Sequence, residues 1–371
     1  MLTDDDYADL DARLAPHDAF LRQRYPGERA GRQPVHTVYV PADRLAGFRD
    51  WGDIALETMK EFDFPWWEEK IAQKLRVEPI EDLRVDFEDG YGVRDDEQED
   101  AEVRRAVTVL RDGPRPPFFG LRIKSLEAPT RHRALRTLDL FLESYQDTDF
   151  VVTLPKVSGP AQVEAMVALL DKLGAPINFE IQVELPSAIL SADGVATVAQ
   201  LITAAEGRCT GLHYGTYDYS AAAGVAAAYQ AMDHPAADYA KAVMQAAAAQ
   251  TGVRLSDGST NILPVGARED VHHAWELHHR LVRRSLERGF YQGWDLHPAQ
   301  LPTRYAATYE FFRDGRDAAV TRLHRYVDRQ ESGIADEPAT ARALAAYLLR
   351  GLDCGALSDA GFTRPELISF L

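Results

Sequence analysis

The chain has 371 residues, of which 46% are hydrophobic, and its formal net charge is -17. This length fits one large α/β barrel with appendages, because such barrels run past about 200 residues as a single domain. The negative charge argues against nucleic acid as a partner, since a protein that binds phosphate backbones needs a basic surface.

The cysteine content and the apolar pattern of the sequence predict a cytoplasmic location. The two cysteines, Cys209 and Cys354, have neither the spacing of metal ligands nor that of a disulfide framework, which indicates a reducing compartment. The acidic start MLTDDDYADLDARL is unlike a secretory signal, and no run of 18 apolar residues predicts a membrane crossing.

An N-terminal helical segment, residues 1–35, precedes the main body. Residues 3–24 read as a helix, with Thr3 as the N-cap and apolar positions at Leu10, Leu14 and Leu21. We expect this to be an outer helix packed on the larger body.

Eight strand-like segments follow, each separated from the next by a helical stretch. They are HTVYVPADR, LRVDFEDG, FFGLRIKS, FVVTLPK, NFEIQVE, GLHYG, NILPVG and GWDLHP. A long alanine-rich helical region, ending at about Gln250, separates the sixth from the seventh. This alternation predicts parallel pairing, and eight such strands predict a (β/α)8 TIM barrel over residues 36–302. An open doubly wound sheet is the competitor, but no GxGxxG follows the first strand.

Residues 303–371 form a predicted C-terminal helical extension. Three apolar-periodic segments, YAATYEFF, AVTRLHRYV and ATARALAAYLL, are helical in pattern, and the polar loop ESGIADEP precedes the third. The extension either covers the barrel or reaches a neighbouring subunit.

Ionisable residues stand at nearly every strand end, which is where barrel enzymes place their active sites. They are Glu88, Asp89, Arg122, Lys124, Lys156, Glu184, Asp218, Asp295 and His297. So many charges at one mouth are costly unless they pair or hold a cation. Two carboxylates with waters and substrate oxygens suit Mg²⁺ or Mn²⁺, and we predict Glu184 and Asp218 as the ligands.

Other strand-end residues are candidates for catalysis and substrate binding. Arg122 offers a fixed positive fork for a substrate carboxylate or an enolate oxygen, or else forms a structural bridge to Glu88 or Glu184. Lys156 balances charge, or serves as the Schiff-base lysine of a different aldolase class. The predicted catalytic residues are Arg122, Glu88, Asp89 and Lys156, and the predicted substrate-binding residues are Arg122, Asp295 and His297.

With these residues in place, the chain resembles the HpcH/HpaI aldolase/citrate lyase family, and most of all its citrate lyase beta-subunit-like branch. The resemblance runs over roughly residues 36–302 through VYVPADR, VDFEDGYG, LRIKS, LPKV, IQVELP, HYGTYD and GWDLHPAQ, in the family's order. Two departures matter. Asp89 stands where the pyruvate aldolases carry a histidine, which favours the lyase branch and leaves the base unassigned, and Tyr217 stands where a glutamate is usual.

The resemblance implies that Glu184 and Asp218 bind Mg²⁺ and that Arg122 binds the substrate or its enolate. It implies a carbon-carbon lyase or condensing enzyme acting on a small oxo acid or acyl thioester, and a homo-oligomer, trimer or hexamer. Coenzyme A thioesters are candidate substrates, although no phosphate cradle is visible in the sequence. The alternatives are a thioester hydrolase on the same scaffold and a non-catalytic barrel that binds a small carboxylate.

Overall fold

Eight parallel strands form the centre of the molecule in the computed structural model, which describes residues 2–328 and 337–371. The strands are β1 His36–Pro41, β2 Asp82–Asp86, β3 Phe118–Arg122, β4 Val151–Leu154, β5 Asn178–Val183, β6 Cys209–Tyr214, β7 Arg254–Ser256 and β8 Gly293–Asp295. Strands adjacent in sequence pair from β1 to β7, and β8 pairs with β1. A parallel bridge between Ser256 and Gln292 links β7 to the residue before β8. The predicted (β/α)8 barrel is confirmed as a nearly closed cylinder.

Helices surround the barrel and extend it at both ends. In the described residues they are α1 Asp4–Arg24, α2 Trp51–Glu61, α3 Glu69–Val77, α4 Asp96–Arg111, α5 Arg131–Ser144, α6 Pro160–Lys172, α7 Pro186–Ile189, α8 Thr197–Ala204, α9 Thr216–Ala222, α10 Pro235–Ala248, α11 Arg268–Glu287, α12 Leu301–Val327, α13 Pro338–Asp353 and α14 Arg364–Ile368. Short 3₁₀ helices span Ala42–Asp50, Ala227–Tyr229 and Pro298–Gln300. None of the helices within residues 2–328 and 337–371 combines the length and the apolar character that a bilayer crossing requires.

The seventh strand lies earlier in the chain than the sequence pattern predicts. The strand is Arg254–Ser256, and the segment NILPVG at 261–266 is a loop beyond its end. Pro264 cannot donate to a strand ladder, and Ile262 and Val265 are 45% and 50% exposed, so this apolar segment does not face the core. The prediction of a strand at NILPVG was wrong.

The alanine-rich region is also not one helix. Helix α9 ends at Ala222, just before Gly224, whose φ of +77° breaks the helical path. Helix α10 begins only at Pro235, a residue that suits the first helical position because its missing N–H would have no partner there.

The predicted N-terminal helix is present, but its predicted packing is not. Thr3 caps α1 through a capping box with Asp6, as the sequence indicated for the N-cap. No residue of α1 is buried in the described chain. The expectation that α1 packs on the body of its own chain was therefore wrong.

The C-terminal segments also differ in detail from the prediction. YAATYEFF and AVTRLHRYV belong to the single 27-residue helix α12, and ATARALAAYLL lies in α13. Residues 331–336 of the predicted loop ESGIADEP lie outside the described residues. Helices α2, α3, α11, α12 and α13 share an apolar core that includes Met59, Ile71, Trp275, Tyr305 and Leu348.

The barrel strands place apolar side chains outside and polar side chains inside. Leu83, Val85 and Leu121 are fully buried in the core between the strands and the helices. Arg84, which alternates with Leu83 and Val85, instead reaches across the barrel to Glu180 on β5. Barrel interiors are usually filled by branched apolar residues, so a polar interior is the feature that most needs a chemical explanation.

Candidate functional site

The lower half of the barrel interior holds a compact ionic group, called here the inner cluster: Asp82, Arg84, Glu180 and His213. Arg84 Nη2 donates to Glu180 Oε2 at 2.7 Å, and its Nη1 donates to Asp82. His213 Nε2 lies 3.3 Å from Glu180 Oε2. Burial alone would raise the pKa of Glu180, but Arg84 and His213 hold it well below its usual value. The inner cluster is thus a paired and sequestered set of charges.

Aromatic side chains separate the inner cluster from the barrel mouth. Tyr39 Oη and Trp294 Nε1 both lie 3.3 Å from His213 Nδ1. The Arg122 guanidinium sits above the Tyr39 ring, with its carbon 4.7 Å from the ring centroid. Tyr39 therefore forms the floor on which Arg122 rests.

Arg122 is held in place by a carboxylate that the sequence interpretation overlooked. Its Nε and Nη2 each donate to one oxygen of Asp86 at 2.7 Å, while its Nη1 lies 3.4 Å from Glu88 Oε2. Asp86 also accepts the backbone N–H groups of Glu88 and Gly90 at 2.9 Å. This bidentate pair orients the guanidinium and leaves the Nη1 edge facing Glu88. The predicted structural bridge to Glu88 is thus present beside a stronger one to Asp86.

Lys156 connects the carboxylates at the mouth. Its Nζ lies 2.6 Å from Glu88 Oε1, 2.7 Å from Asp89 Oδ2 and 3.4 Å from Asp218 Oδ2. Its backbone N–H donates to Glu184 Oε2 at 3.0 Å. Lys156 has a φ of +50°, in the left-handed region that a lysine rarely adopts. Backbone strain of this kind concentrates at functional sites.

Glu184 is the most deeply buried of the carboxylates that contact Lys156. It follows β5 directly, its residue is 2% exposed, and a side chain at Gly215 would collide with it, since an added Cβ would lie 2.4 Å from Glu184 Cγ. Burial raises the pKa of Glu184 to about 7, although Lys156 and Arg122 oppose the shift. The glycine therefore makes room for a carboxylate that is costly to ionise.

The mouth carries more negative than positive charge. We call the following residues the mouth cluster: Asp86, Glu88, Asp89, Arg122, Lys156, Glu184 and Asp218. Five carboxylates against two cations leave three formal negative charges. Burial raises the pKa of Glu88 as well, with Arg122 and Lys156 opposing it and Asp89 adding to it. Such an excess in a partly buried site favours a bound cation.

Asp295 lies on the opposite face of its strand from the mouth cluster. Trp294 points into the barrel, so Asp295 points outward toward α11 and α12. Its carboxylate meets Arg304 Nη2 at 2.8 Å, His36 Nδ1 at 2.8 Å and His278 Nε2 at 3.1 Å. Burial would raise its pKa, but these partners hold it well below the usual range. The structure does not bring this predicted substrate-binding residue into the mouth.

Two further residues that the sequence places at strand ends, His297 and Lys124, also make structural contacts. His297, just beyond β8, is half-buried and caps the 3₁₀ helix Pro298–Gln300 by accepting the Ala299 N–H at Nδ1, 3.2 Å away. Its role in substrate binding stays a prediction. Lys124 points outward, where its Nζ donates to Glu99 Oε2 at 2.6 Å.

The donor set at the mouth fits a hard divalent cation. Glu184 and Asp218 both contact Lys156, one through its backbone and the other through its ammonium group. In the part of the chain that the structure describes, no three His, Cys, Asp or Glu side chains are arranged to hold a metal ion by themselves. Mg²⁺ commonly takes only one or two carboxylates and completes its octahedron with water and substrate oxygens, so a two-carboxylate set suffices.

Two residues of the site could have been found from the sequence. In LRVDFEDG the alternation that places Arg84 inside the barrel also places Asp86 inside, beside Arg122 on the neighbouring strand. Tyr39 in HTVYVP follows from the same rule. Asp86 is the last residue of β2, whereas Glu88 and Asp89 lie beyond the end of that strand.

The comparisons in sequence identify a family without a described activity. The family model described as "Domain of unknown function (DUF6986)" matches residues 14–368. No curated protein matches the chain in sequence.

Solved structures share the fold. CitE from Mycobacterium tuberculosis, in complex with magnesium, acetoacetate and coenzyme A, has 20% identity and a TM-score of 0.55, with 88% of this chain and 99% of that chain covered. Haloferax volcanii malate synthase, as a magnesium/glyoxylate complex, has 12% identity and a TM-score of 0.52 over 88% and 93%. RipC from Yersinia pestis has 17% identity and a TM-score of 0.50 over 74% and 95%. The presence of CitE agrees with the predicted resemblance, and at these identities the likeness establishes the barrel fold.

Proposed function

The chain belongs to the DUF6986 family, and we propose that it is a Mg²⁺-dependent carbon-carbon lyase or Claisen-type condensing enzyme. Its substrate would be a small oxo acid or an acyl thioester that reacts through an enolate. The observation that carries the proposal is the mouth cluster, in which five carboxylates and two cations converge at the carboxyl ends of barrel strands. Residues 36–302 would form the catalytic domain, with residues 1–35 and 303–371 as appendages.

Glu184 and Asp218 would hold the metal ion. When bound, Mg²⁺ (or Mn²⁺) would supply positive charge next to a developing enolate oxygen, which is the largest stabilising term available to such a reaction. Lys156 would then release part of its contact with Asp218, which at 3.4 Å is the longest of its three. Its contacts with Glu88 and Asp89 would keep those two side chains in place.

Arg122 would bind the substrate through its Nη1 edge, where its contact with Glu88 Oε2 is long, at 3.4 Å. Asp86 fixes the other two donors of the guanidinium, so the fork cannot rotate when a carboxylate or carbonyl oxygen arrives. Because Tyr39 lies beneath it, the guanidinium is also shielded from water on one face. These contacts make Arg122 a preorganised positive group.

Proton transfer is assigned to the pair Glu88 and Asp89. Glu88 is 8% exposed and has a raised pKa, which brings a carboxylate closer to the range useful for a general base at neutral pH. Lys156 binds both carboxylates. A Schiff-base role for this lysine is disfavoured, because its ion pairs hold its pKa above the usual value against the effect of burial, which leaves no free amine.

The structural neighbours support this chemistry. CitE is described with magnesium, acetoacetate and coenzyme A, and the malate synthase with magnesium and glyoxylate. Each of these two complexes contains magnesium and a small oxo acid. The excess negative charge of the mouth cluster would bind the metal ion, and Arg122 would bind the oxo acid. The two cysteines, both free and buried, fit the cytoplasm that we propose as its location.

Metal binding is the first test. Mn²⁺ titrated into the metal-free protein, followed by electron paramagnetic resonance, should show one site per chain in the wild type. Glu184→Gln and Asp218→Asn should each weaken that site by about a hundredfold or more, because each removes one of two charged ligands. Asp171→Asn, a change in an exposed carboxylate on α6, is the matched control. Stoichiometric Mn²⁺ in both site variants would overturn the assignment.

The reaction class needs a second measurement. Deuterium wash-in at the methyl group of pyruvate or of an acetyl thioester, dependent on added Mg²⁺, is the expected result for an enolising site. Arg122→Met should lose this exchange while retaining Mn²⁺. Release of free thiol without exchange would favour the hydrolase, and tight carboxylate binding with neither reaction would favour a non-catalytic binder.

A further inference from the structure

Helix α1 exposes an apolar stripe, and none of its residues is buried by the part of the chain that the structure describes. Tyr7, Leu10, Leu14 and Leu21 are 55%, 52%, 44% and 38% exposed. The body is reached at the end of the helix, where Arg24 Nη2 donates to the Ala199 carbonyl at 3.0 Å. In proteins, most of the stability of a helix comes from packing its apolar face, and no residue of α1 is buried in the described chain. The helix therefore calls for a partner.

The spacing of the stripe is that of a helix that pairs with another helix. Tyr7, Leu10, Leu14, His17 and Leu21 follow each other at intervals of three, four, three and four residues. This heptad pattern puts all five side chains on one face. With 21 residues, α1 is about 31 Å long, enough for three such repeats.

The charges of α1 divide between its two halves. The first half carries five aspartates and no basic residue: Asp4, Asp5, Asp6, Asp9 and Asp11. The second half carries Arg13, Arg22 and Arg24 against one acid, Asp18. A parallel pair of such helices would set aspartates against aspartates, whereas an antiparallel pair sets the acidic half of each helix against the basic half of the other.

We propose that α1 is a pairing helix through which two copies of this chain associate, antiparallel and with twofold symmetry. The heptad stripe would supply the apolar contact, and the divided charges would set the direction. In a twofold contact the same surface of each copy meets the other, so that surface must be complementary to itself. A helix with opposite charges in its two halves meets this requirement. An anionic membrane surface is a poor alternative occupant, because the acidic half would be repelled.

Self-association tests the stripe. Sedimentation of the full chain over a concentration series should show that the number of chains per wild-type particle doubles as the concentration rises. Leu10→Ser with Leu14→Ser should weaken this association by about a hundredfold or more. The control pair Val77→Ser and Val93→Ser, at residues that are 71% and 89% exposed elsewhere, should leave it unchanged. Circular dichroism verifies that each variant is folded. A wild type that stays a single chain, or an assembly that the leucine changes do not affect, would overturn the proposal.

The direction is tested by the distance between two labels. A spin label on Asp5→Cys, near the start of the helix, should lie roughly 25–30 Å from the label on the second copy in an antiparallel pair, because α1 is about 31 Å long. In a parallel pair the two labels would lie at the same end, about 10–15 Å apart. Cys209 and Cys354 are buried, so the label reports on the introduced cysteine. Double electron–electron resonance measures the distance, and a short distance would contradict an antiparallel contact.

Discussion

The two ionic clusters of the barrel interior use the same residue types for different ends. In the inner cluster, Arg84 is shared by two carboxylates and His213 completes the group, with every member almost fully buried. In the mouth cluster, five carboxylates share two cations, and Asp89 and Asp218 have side chains 57% and 45% exposed. The inner cluster is closed to solvent and its carboxylates are paired, whereas the mouth cluster is open to solvent and carries an excess of negative charge. Charge balance together with access, more than the presence of charge, distinguishes the candidate site.

The largest effect should come from the inner cluster. Arg84→Met leaves Asp82 and Glu180 buried without their shared cation, and should lower the free energy of unfolding by about 3–5 kcal/mol. Urea denaturation measures this change. Arg44→Met, at an exposed arginine, is the control and should leave the denaturation midpoint unchanged. An Arg84 variant as stable as that control would mean that the inner cluster does not support the barrel.

A smaller effect of opposite sign is expected at the mouth. The pKa of Glu184 is raised to about 7, so its contribution to stability is fully present below its unfolded value, near 4.5, and is lost as the pH rises through 7. Without metal, the wild type should lose about 2–3 kcal/mol from this group between pH 5 and pH 8.

Glu184→Gln removes that pH dependence, so the variant should gain stability relative to the wild type at pH 8. Urea denaturation in a chelator at both pH values makes the comparison. Parallel pH profiles for the two proteins would show that Glu184 ionises normally.

The smallest expected effect comes from Lys156, whose positive charge a metal ion could replace, in contrast to that of Arg84. Lys156→Met removes positive charge that is partly exposed, and should destabilise the metal-free protein by about 1–2 kcal/mol at pH 8. Saturating Mg²⁺ should restore much of this loss, because the metal supplies charge to the same carboxylates. Thermal unfolding with and without Mg²⁺ measures it. Arg84→Met, given the same treatment, should show no such recovery, and equal recovery in both would erase the contrast between the clusters.

The positions that the sequence predicts best are those that depend only on strand ends, while the metal-binding role of Glu184 and Asp218 stays a prediction. Glu184 follows β5 and Asp218 follows β6, and because β5 and β6 pair in parallel, both side chains reach Lys156. Motif order along the chain was enough to predict the barrel and this convergence. Neither required knowledge of the distance between any two atoms.

The residues that the sequence predicted poorly depend on which face or which partner a segment finds. Asp295 carries the right chemistry at a strand end, but strand alternation turns it toward Arg304. NILPVG has the apolar content of a strand, yet the barrel takes its seventh strand from Arg254–Ser256. The stripe of α1 indicates burial without saying which surface supplies it. Register and partner choice are set by the whole chain, so local pattern does not contain them.

The barrel is held together least strongly between β7 and β8. Both strands are three residues long, and the cylinder is closed there by the Asp257 N–H to the Gln292 carbonyl at 2.8 Å and the Trp294 N–H to the Gly258 carbonyl at 3.2 Å. Few backbone bonds must break to part this seam, compared with the long ladders from β1 to β3. Amide hydrogens at this seam should therefore exchange with solvent at a lower opening free energy than those in the ladders from β1 to β3. Thermal fluctuations should therefore separate β7 from β8 before they disrupt the pairing of the other strands.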